Sequence, residues 1–432
     1  MSAAVNLLAF LTGINLLNYM DRYVVAAVLE PMGRELSLSD AQLGWVQPVF
    51  IYAYMVAAPV FGALADRFHR PRLVAAGIAL WSLATAAAAF AGGFAGILAT
   101  RALVGVGEAA YASLGPAILS DCYPERERAR SFTWFYLAIP VGSALGYAVG
   151  GVAAQAWGWR AAFLVAGIPG LILAWRMTRT ADPPRGAMDT LEDRMAGSSF
   201  PARVRNLFSN RIWLACTMSY TAYTFAMGAL SVWAPTLLQR AHGVSPGRAG
   251  IVFGGLAVVT GIAGTFAGGI LTSRLQGRFR DAGVWISGLT LIGAAPVVAF
   301  AIAAPTPETA YAAFFIGMLL LFCNTSPVNT LAVSCVPASI RATGVAVNVF
   351  LIHLLGDALS PEWVGHRSAR FIAEGAERGE ALSKALWIAV PALAASGIVL
   401  LVLARGFGAR GGPPEHSAHR SAGGSGSTPV PA

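Results

Sequence analysis

Long apolar runs recur along this chain, each bounded by a short polar stretch. A helix that crosses a bilayer needs roughly 20 consecutive, mostly apolar residues. Twelve runs answer to that description, centred near Leu16, Met55, Trp81, Glu108, Leu145, Gly167, Thr224, Val259, Leu291, Leu321, Leu354 and Ala395. Backbone amides in hydrocarbon must find partners within their own segment, and these runs are too long for barrel strands. Each is therefore predicted to be a helix. The expected fold is an all-α membrane protein with twelve transmembrane helices.

Residues 180–206 interrupt the pattern with a polar stretch rich in Pro, Gly and Arg, long for a connection inside a compact domain. The expected division is a six-helix bundle over residues 1–179, a linker over 180–206, a second six-helix bundle over 207–405, and a tail over 406–432. The tail is rich in Gly, Ser and Pro, lacks apolar periodicity, and is expected to be disordered. The two halves echo each other. GALADRFHRPR (residues 62–72) follows the second span, and GILTSRLQGRFR (269–280) follows the eighth. Pro124, Arg128 and Ala129 recur after the tenth span as Pro337, Arg341 and Ala342, at the same internal spacing. Two echoes at equivalent places predict a duplicated unit, with the bundles related by a pseudo-two-fold axis along the membrane normal.

Composition sharpens this picture. Of 432 residues, 56% are hydrophobic and 12% charged, where soluble domains carry about 25% charged residues. The net charge of +9 is almost entirely arginine, Lys384 being the only lysine. The arginines sit between apolar runs, which points to membrane topology rather than to nucleic acid. Arg67, Arg70 and Arg72, then Arg126, Arg128 and Arg130, then Arg176 through Arg211 around the linker, then Arg274, Arg278, Arg280 and Arg341, all fall on one side with both termini. The opposite side carries Glu30, Glu35 and Asp40, a smaller basic count in Arg240 and Arg248, and a loop of mixed sign over residues 362–384. The positive-inside rule puts the arginine-rich side and both termini in the cytoplasm. The Ala/Gly/Arg bias points to a GC-rich bacterial genome, hence to an inner membrane.

The first apolar run has no basic leader and contains Asn15, Asn18 and Asp21, so it is read as a retained helix. Cys122, Cys216, Cys323 and Cys335 show no metal spacing and no close pair, and are read as single thiols. No phosphate-binding loop of the P-loop form occurs, which argues against ATP drive. No cofactor, metal or nucleic acid is expected, and the chain is expected to be a monomer. No Ser/His/Asp or metal constellation suggests an enzyme; a lipid-modifying one would have only His353 and Asp357 to build on.

The motifs carry a family resemblance over all but the linker and tail. GALADRFHRPR resembles the loop signature of the major facilitator superfamily, RALVGVGEA (101–109) its helix-four signature, and GSALGYAVGG (142–151) its helix-five glycine pattern. NYMDRY (18–23), FLIHLLGDALSP (350–361) and Glu108 within the helix-four motif resemble the Spinster group. The resemblance implies alternating access by two rocking bundles, proton coupling, and lysophospholipids or sphingoid phosphates as substrates. Facilitative carriage, export of drugs or organic anions, and a ligand-binding membrane receptor that moves nothing stay open as alternatives.

The intramembrane charges are the candidate site. Asp21 and Arg22 lie in the outer half of the first span, Arg101 in the outer half of the fourth, and Glu108 near its middle. The resemblance puts proton coupling and headgroup contact on Asp21, Arg22 and Glu108, with Arg101 beside them. Burial disfavours a charged carboxylate and neighbouring arginines favour it. Opening to water on one side shifts that balance, as proton uptake on one side and release on the other requires. A static ion pair joining the first and fourth spans is the alternative. His353 and Asp357 are four apart and share a face. They form either a second titratable site, imidazole titrating near neutral pH, or a satisfied pair against the second span. Pro361 is expected to break that helix, with Glu362 capping its end. In the second half, Tyr220, Tyr223, Asn324 and Asn329 are either core or, with Asn18, Arg22 and Glu108, a substrate wall.

Asp66 and Arg67, with Arg70, Asp121 and Arg128, form a candidate cytoplasmic gate. The resemblance makes Asp66 and Arg67 a latch between the halves in the outward-open state, with Asp66 near the start of the eleventh span. Simple snorkelling of the charges is the other reading. His69 departs from the family pattern, and Ser273 replaces the acid in the second copy. Gly142, Gly146 and Gly150, and Gly250, Gly254, Gly261, Gly264 and Gly268, predict a close-packed seam between the halves.

Overall fold

A computed structural model describes the backbone of residues 3–184, 200–276, 278, 281–336 and 340–408. Residues 185–199 and 409–432, most of the expected linker and tail, lie outside the described residues. So do Arg185, Arg194, Arg280 and Pro337, and the side chains of Arg126, Ala129, Arg203, Arg341 and Ala342.

Helices dominate, and no strand occurs among the described residues. The first half consists of α1 (Ala3–Glu35), α2 (Asp40–Ala65), α3 (Arg70–Ala88), α4 (Phe94–Ser120), α5 (Glu125–Trp157) and α6 (Trp159–Met177). A short helix, α7 (Phe200–Ser209), precedes the second half. That half begins with α8 (Arg211–His242), α9 (Pro246–Gln276) and α10 (Ala282–Ile302). The tenth span is α11 (Pro307–Cys323) continued by α12 (Thr325–Ser334). The eleventh joins α13 (Arg341–Ile352) to α14 (Leu359–Ala373) through a π-helical turn at His353–Asp357. The twelfth is α15 (Arg378–Leu386) followed by α16 (Ala389–Gly408). Each of the twelve expected centres falls within one of these spans. Among the described residues, ten spans are long and apolar enough by themselves to cross a membrane. The other two are α1, which carries Asp21 and Arg22, and α8, whose middle is rich in Thr, Ser and Tyr.

Local chemistry sets the helix ends. Ser39 and Gln42 form a reciprocal capping box at the start of α2, and Thr306 and Thr309 form one at the start of α11. The Asn210 side chain accepts from the amides of Ile212 and Trp213 to begin α8. Gly243, at φ +63°, ends α8 in the left-handed region that a side chain disfavours.

Several expectations need correction. The glycine stripe of α5 faces α1, inside its own bundle. A methyl group at Gly142 or Gly146 would sit 2.5 Å from the carbonyl oxygen of Leu16 or Met20. The seam between the halves instead uses the neighbouring face of α5, where Gly151, Tyr147 and Ala144 meet Pro246, Gly250 and Gly254 of α9. The α9 glycines are therefore divided: Gly250 and Gly254 face the other half, while Gly264 and Gly268 face α11 of their own half. Four-residue spacing predicts that a helix is closely approached but not by which neighbour.

Pro361 does not end the eleventh span, and Glu362 does not cap it. Proline is tolerated in a first helical turn, where its missing N–H has no intrahelical role, and Pro361 stands there in α14. The irregularity falls one turn earlier, in the π turn. The mixed-charge stretch over 362–384 is thus mostly helix, α14 and α15 being separated by residues 374–377. The end of the expected linker, residue 206, lies inside α7. Asn210 Nδ2 donates to the Cys335 carbonyl at 2.8 Å, tying the start of α8 to the end of α12.

Candidate functional site

The bundles meet on the side opposite the arginine-rich connections. There α5 packs on α9, α2 on α14 and α1 on α8. Gly44 of α2 lies against Pro361 and Gly365 of α14, close enough that a methyl group would sit 2.8 Å from the Pro361 carbonyl oxygen. Between the bundles, away from that closed end, is a cavity of about 400 Å³. Its walls come from α1 (Asn18, Tyr19, Arg22), α2 (Gln47, Phe50, Tyr54), α4 (Tyr111, Pro116), α5 (Phe135, Tyr136), α8 (Gly228, Ser231) and the π turn (His353, Asp357).

Arg22 reaches this cavity with its side chain 17% exposed, while Glu108 behind it is fully sealed. Arg22 Nη2 and Nε both donate to Glu108 Oε2, at 2.7 and 3.1 Å. The guanidinium lies 4.9 Å from the ring centres of Tyr19 and Phe50 and 5.6 Å from that of Tyr54. Such cation–π contacts hold a cation's position while leaving its hydrogen-bond donors free. Arg101 approaches the same Phe50 ring, also at 4.9 Å. Its Nη2 donates to Gln47 Oε1 at 3.3 Å, and its Nε and Nη1 are buried with no hydrogen-bond partner among the described residues. Asp21 points toward α3, where Thr85 Oγ1 donates to its Oδ2 at 2.5 Å, and its Oδ1 is buried without a partner. Glu108 Oε1 accepts no well-formed hydrogen bond among the described residues, the Asn18 side chain being its polar neighbour.

Four charged side chains thus share one buried region, two acids and two bases, but only Arg22 and Glu108 form an ion pair. An unpaired buried charge costs several kcal/mol.

On the opposite cavity wall, His353 Nδ1 lies 3.0 Å from both carboxylate oxygens of Asp357, each side chain about one-third exposed. The pair sits on the π turn, a distortion frequent at functional sites. It packs against α8, where Gly228 abuts Asp357 and Thr224 Oγ1 donates to the Ile352 carbonyl. Of the other residues singled out in the sequence, Asn18 lines the cavity, whereas Tyr220, Tyr223, Asn324 and Asn329 do not. Tyr220 and Tyr223 stack with ring centres 5.6 Å apart. Asn324 is buried where α11 meets α12, and Asn329 Nδ2 donates to the Thr325 carbonyl of its own helix.

The arginine-rich end is tied together within the first bundle. Arg70 Nη1 pairs with Asp121 Oδ2 at 2.5 Å, its Nε donates to Asp182 at 2.8 Å, and its Nη2 donates to the Pro183 carbonyl at 2.7 Å. Arg128 Nε donates to the carbonyls of Ser120 and Tyr123. Asp66 and Arg67 are exposed at the end of α2.

Sequence reasoning missed the lock at the closed end. Arg240 of α8, 1% exposed, donates to Glu30 of α1 at 2.5 Å and bidentately to Asp40 of α2 at 2.7 and 2.9 Å. Ser368 of α14 donates to the same Asp40 at 2.5 Å. Glu30, Asp40 and Arg240 were visible as loop charges and were used only to orient the chain. The available signal was opposite charge at matching span ends of the two halves.

Two bundles of membrane-crossing helices, clasped at one end around a polar cavity with buried charges, define a membrane transporter. The family model "Major Facilitator Superfamily" matches residues 11–361. The chain belongs to that superfamily and, within it, to the Spinster family. It is 36% identical over 375 residues to "Protein spinster homolog 3" of Danio rerio, covering 83% of this chain and 75% of that one. It is 36% identical over 386 residues to human "Protein spinster homolog 1", covering 84% and 73%. It is 34% identical over 369 residues to the "Sphingosine-1-phosphate transporter SPNS2" of Danio rerio, covering 81% and 73%. A crystal structure of a bacterial homologue of the human lysosomal transporter Spinster, inward-facing and unoccupied, matches with a TM-score of 0.80 at 25% identity, covering 94% of this chain and 96% of that one. A D-xylose–proton symporter shares the fold, with a TM-score of 0.71 at 16% identity, covering 92% and 96%.

Proposed function

We propose that this transporter is proton-coupled and moves an amphipathic solute with an anionic head, of the lysophospholipid or sphingoid phosphate class, by alternating access. The observation that carries the reading is the Arg22–Glu108 pair. Arg22 faces the cavity and Glu108 does not, so an anionic head that takes Arg22 leaves Glu108 buried beside an engaged cation. A proton on Glu108 removes that uncompensated charge. Substrate binding and proton binding are thereby linked through one arginine. Asp21, buried with an unpartnered oxygen near the same cluster, is the second proton carrier. Arg101, whose donors are largely unused, is the alternative partner for either acid.

The rings of Tyr19, Phe50, Tyr54, Phe135 and Tyr136 give the cavity the apolar wall that a tail requires. The relative named as a sphingosine-1-phosphate transporter supports an anionic lipid as substrate. The arginine-rich side is cytoplasmic by the positive-inside rule, which makes the present arrangement inward-facing. Asp66 and Arg67 would then engage the second bundle when the closed end opens.

Ligand-induced stabilisation tests the substrate class, because anything that binds only the folded state raises stability by mass action, by about 2.7 kcal/mol at a hundredfold excess over Kd. Purified protein is heated with lysophospholipids, sphingoid phosphates, drug-like cations and organic anions. A phosphate-headed amphiphile should stabilise the wild type and not Arg22→Ala. Stabilisation that is unchanged in Arg22→Ala counts against this site.

A further inference from the structure

The lock at the closed end has a second, outward-facing layer. Beside Glu30 and Arg240 lies a recess of about 430 Å³ lined by residues from both bundles, among them Arg34, Ser37, Leu38, Ile372 and Arg378, with the Asp40 carboxylate, itself held by Arg240, in its wall. It is separate from the central cavity and shares no lining residue with it.

The charges around it do not balance. Glu30 and Asp40 are buried and already satisfied by Arg240 at 2.5 to 2.9 Å, with Ser368 also on Asp40. Arg34 adds its Nε to Glu30 at 2.7 Å, with its side chain 66% exposed. Arg378, the first residue of α15, stands farther off, 3.4 Å from Glu30 and 3.8 Å from Asp40, with its side chain 40% exposed. Three guanidinium groups against two carboxylates leave one positive charge over (3 − 2 = +1). That surplus falls on the two arginines that face the recess. They come from different bundles, α1 and α15, so the recess straddles the seam. Beside them are the Ser37 hydroxyl and the apolar side chains of Leu38 and Ile372.

We propose that this recess is an anion site for a phosphate monoester group, its oxygens bridging Arg34 and Arg378. Guanidinium groups suit phosphate because their planar donors match its oxygens two at a time. Arg240 keeps both carboxylates, so the lock stays closed while the outer layer is occupied. The site lies outside the gate and does not depend on what the central cavity carries. Leu38 and Ile372 would meet the first carbons of an ester chain, so inorganic phosphate and a lipid phosphate share the same recognition.

Isothermal titration of the full-length protein in detergent tests this, with inorganic phosphate and hexyl phosphate as ligands at constant ionic strength. Both should bind. Losing one charge-assisted contact of about 1.5 kcal/mol or more corresponds to about a tenfold loss of affinity, expected for Arg34→Gln and for Arg378→Gln. Arg378→Lys should recover part of it, and Arg248→Gln, at an exposed pair that lines neither cavity, should change nothing. Tighter binding of hexyl phosphate that is lost in Arg34→Gln and Arg378→Gln supports the site with a lipid headgroup as occupant; equal binding of the two ligands, lost in the same variants, supports it with the free ion. Arg34→Gln is exposed enough to leave folding intact, so unchanged affinity in that variant and in Arg378→Gln overturns the proposal. So does loss of phosphate binding in Arg22→Gln alone, which would place the anion in the central cavity.

Discussion

Arg22 and Glu108 meet on a single carboxylate oxygen. Two guanidinium nitrogens converge on Oε2 while Oε1 accepts no well-formed hydrogen bond among the described residues, and only the arginine reaches the cavity. The two residues are consequently not equivalent. Removing Arg22 strands a sealed carboxylate, and breaking a buried pair in this way costs about 3–5 kcal/mol. Removing the charge of Glu108 leaves an arginine that still has its rings and the cavity. Arg22→Gln should therefore lower the thermal unfolding midpoint in detergent clearly more than Glu108→Gln does. Equal midpoints would show that Glu108 is not held charged by Arg22.

The clasp at the closed end should behave as a lock. Arg240 is buried on two carboxylates from the other bundle, so Arg240→Gln leaves both without their main partner, at a cost of about 3–5 kcal/mol. Arg248 and Glu308, both well exposed and 3.7 Å apart, supply the control, since an exposed pair contributes about 1 kcal/mol or less. A single cysteine introduced next to this seam should gain reactivity toward a membrane-impermeant maleimide added from that side in Arg240→Gln and not in Arg248→Gln. Equal reactivity in the two variants would mean that the helix seams alone hold the end closed.

Apolar run length and loop arginines were enough to read the twelve spans from the sequence, because hydrocarbon imposes helix and length on any segment that crosses it. The buried cluster of Asp21, Arg22, Arg101 and Glu108 was legible for a similar reason: charge is so costly in a membrane that its presence there stands out. What could not be read was direction around each helix axis. Gly142 and Gly250 look alike in sequence, yet one faces α1 within its own bundle and the other faces α5 across the seam. The Arg240 clasp joins residues some two hundred positions apart, and no local pattern encodes such a pairing. Tyr220 and Asn324 carry suitable chemistry for a substrate wall, but neither is among the residues that line the cavity.

The glycine contacts yield an internally controlled prediction. A methyl group at Gly142 would press on the Leu16 carbonyl, whereas one at Gly255 would meet nothing within 4 Å. Overpacking a fitted contact costs about 1–3 kcal/mol, while alanine in place of an unhindered helical glycine gains up to about 1 kcal/mol. Gly142→Ala should lower the unfolding midpoint and Gly255→Ala should hold or raise it. The reverse order would contradict the close approach of α1 and α5.

Flux in proteoliposomes tests the proposed linkage of proton and substrate through Glu108 and Asp21. Protein is reconstituted, a pH gradient is imposed, and accumulation of a phosphate-headed amphiphile that stabilises the wild type is followed beside gradient-free counterflow. Glu108→Gln and Asp21→Asn should abolish gradient-driven accumulation while counterflow persists, because a site that no longer releases its proton can still exchange substrate. Accumulation that survives in the Asp21→Asn, Glu108→Gln double variant at the wild-type rate would contradict the account.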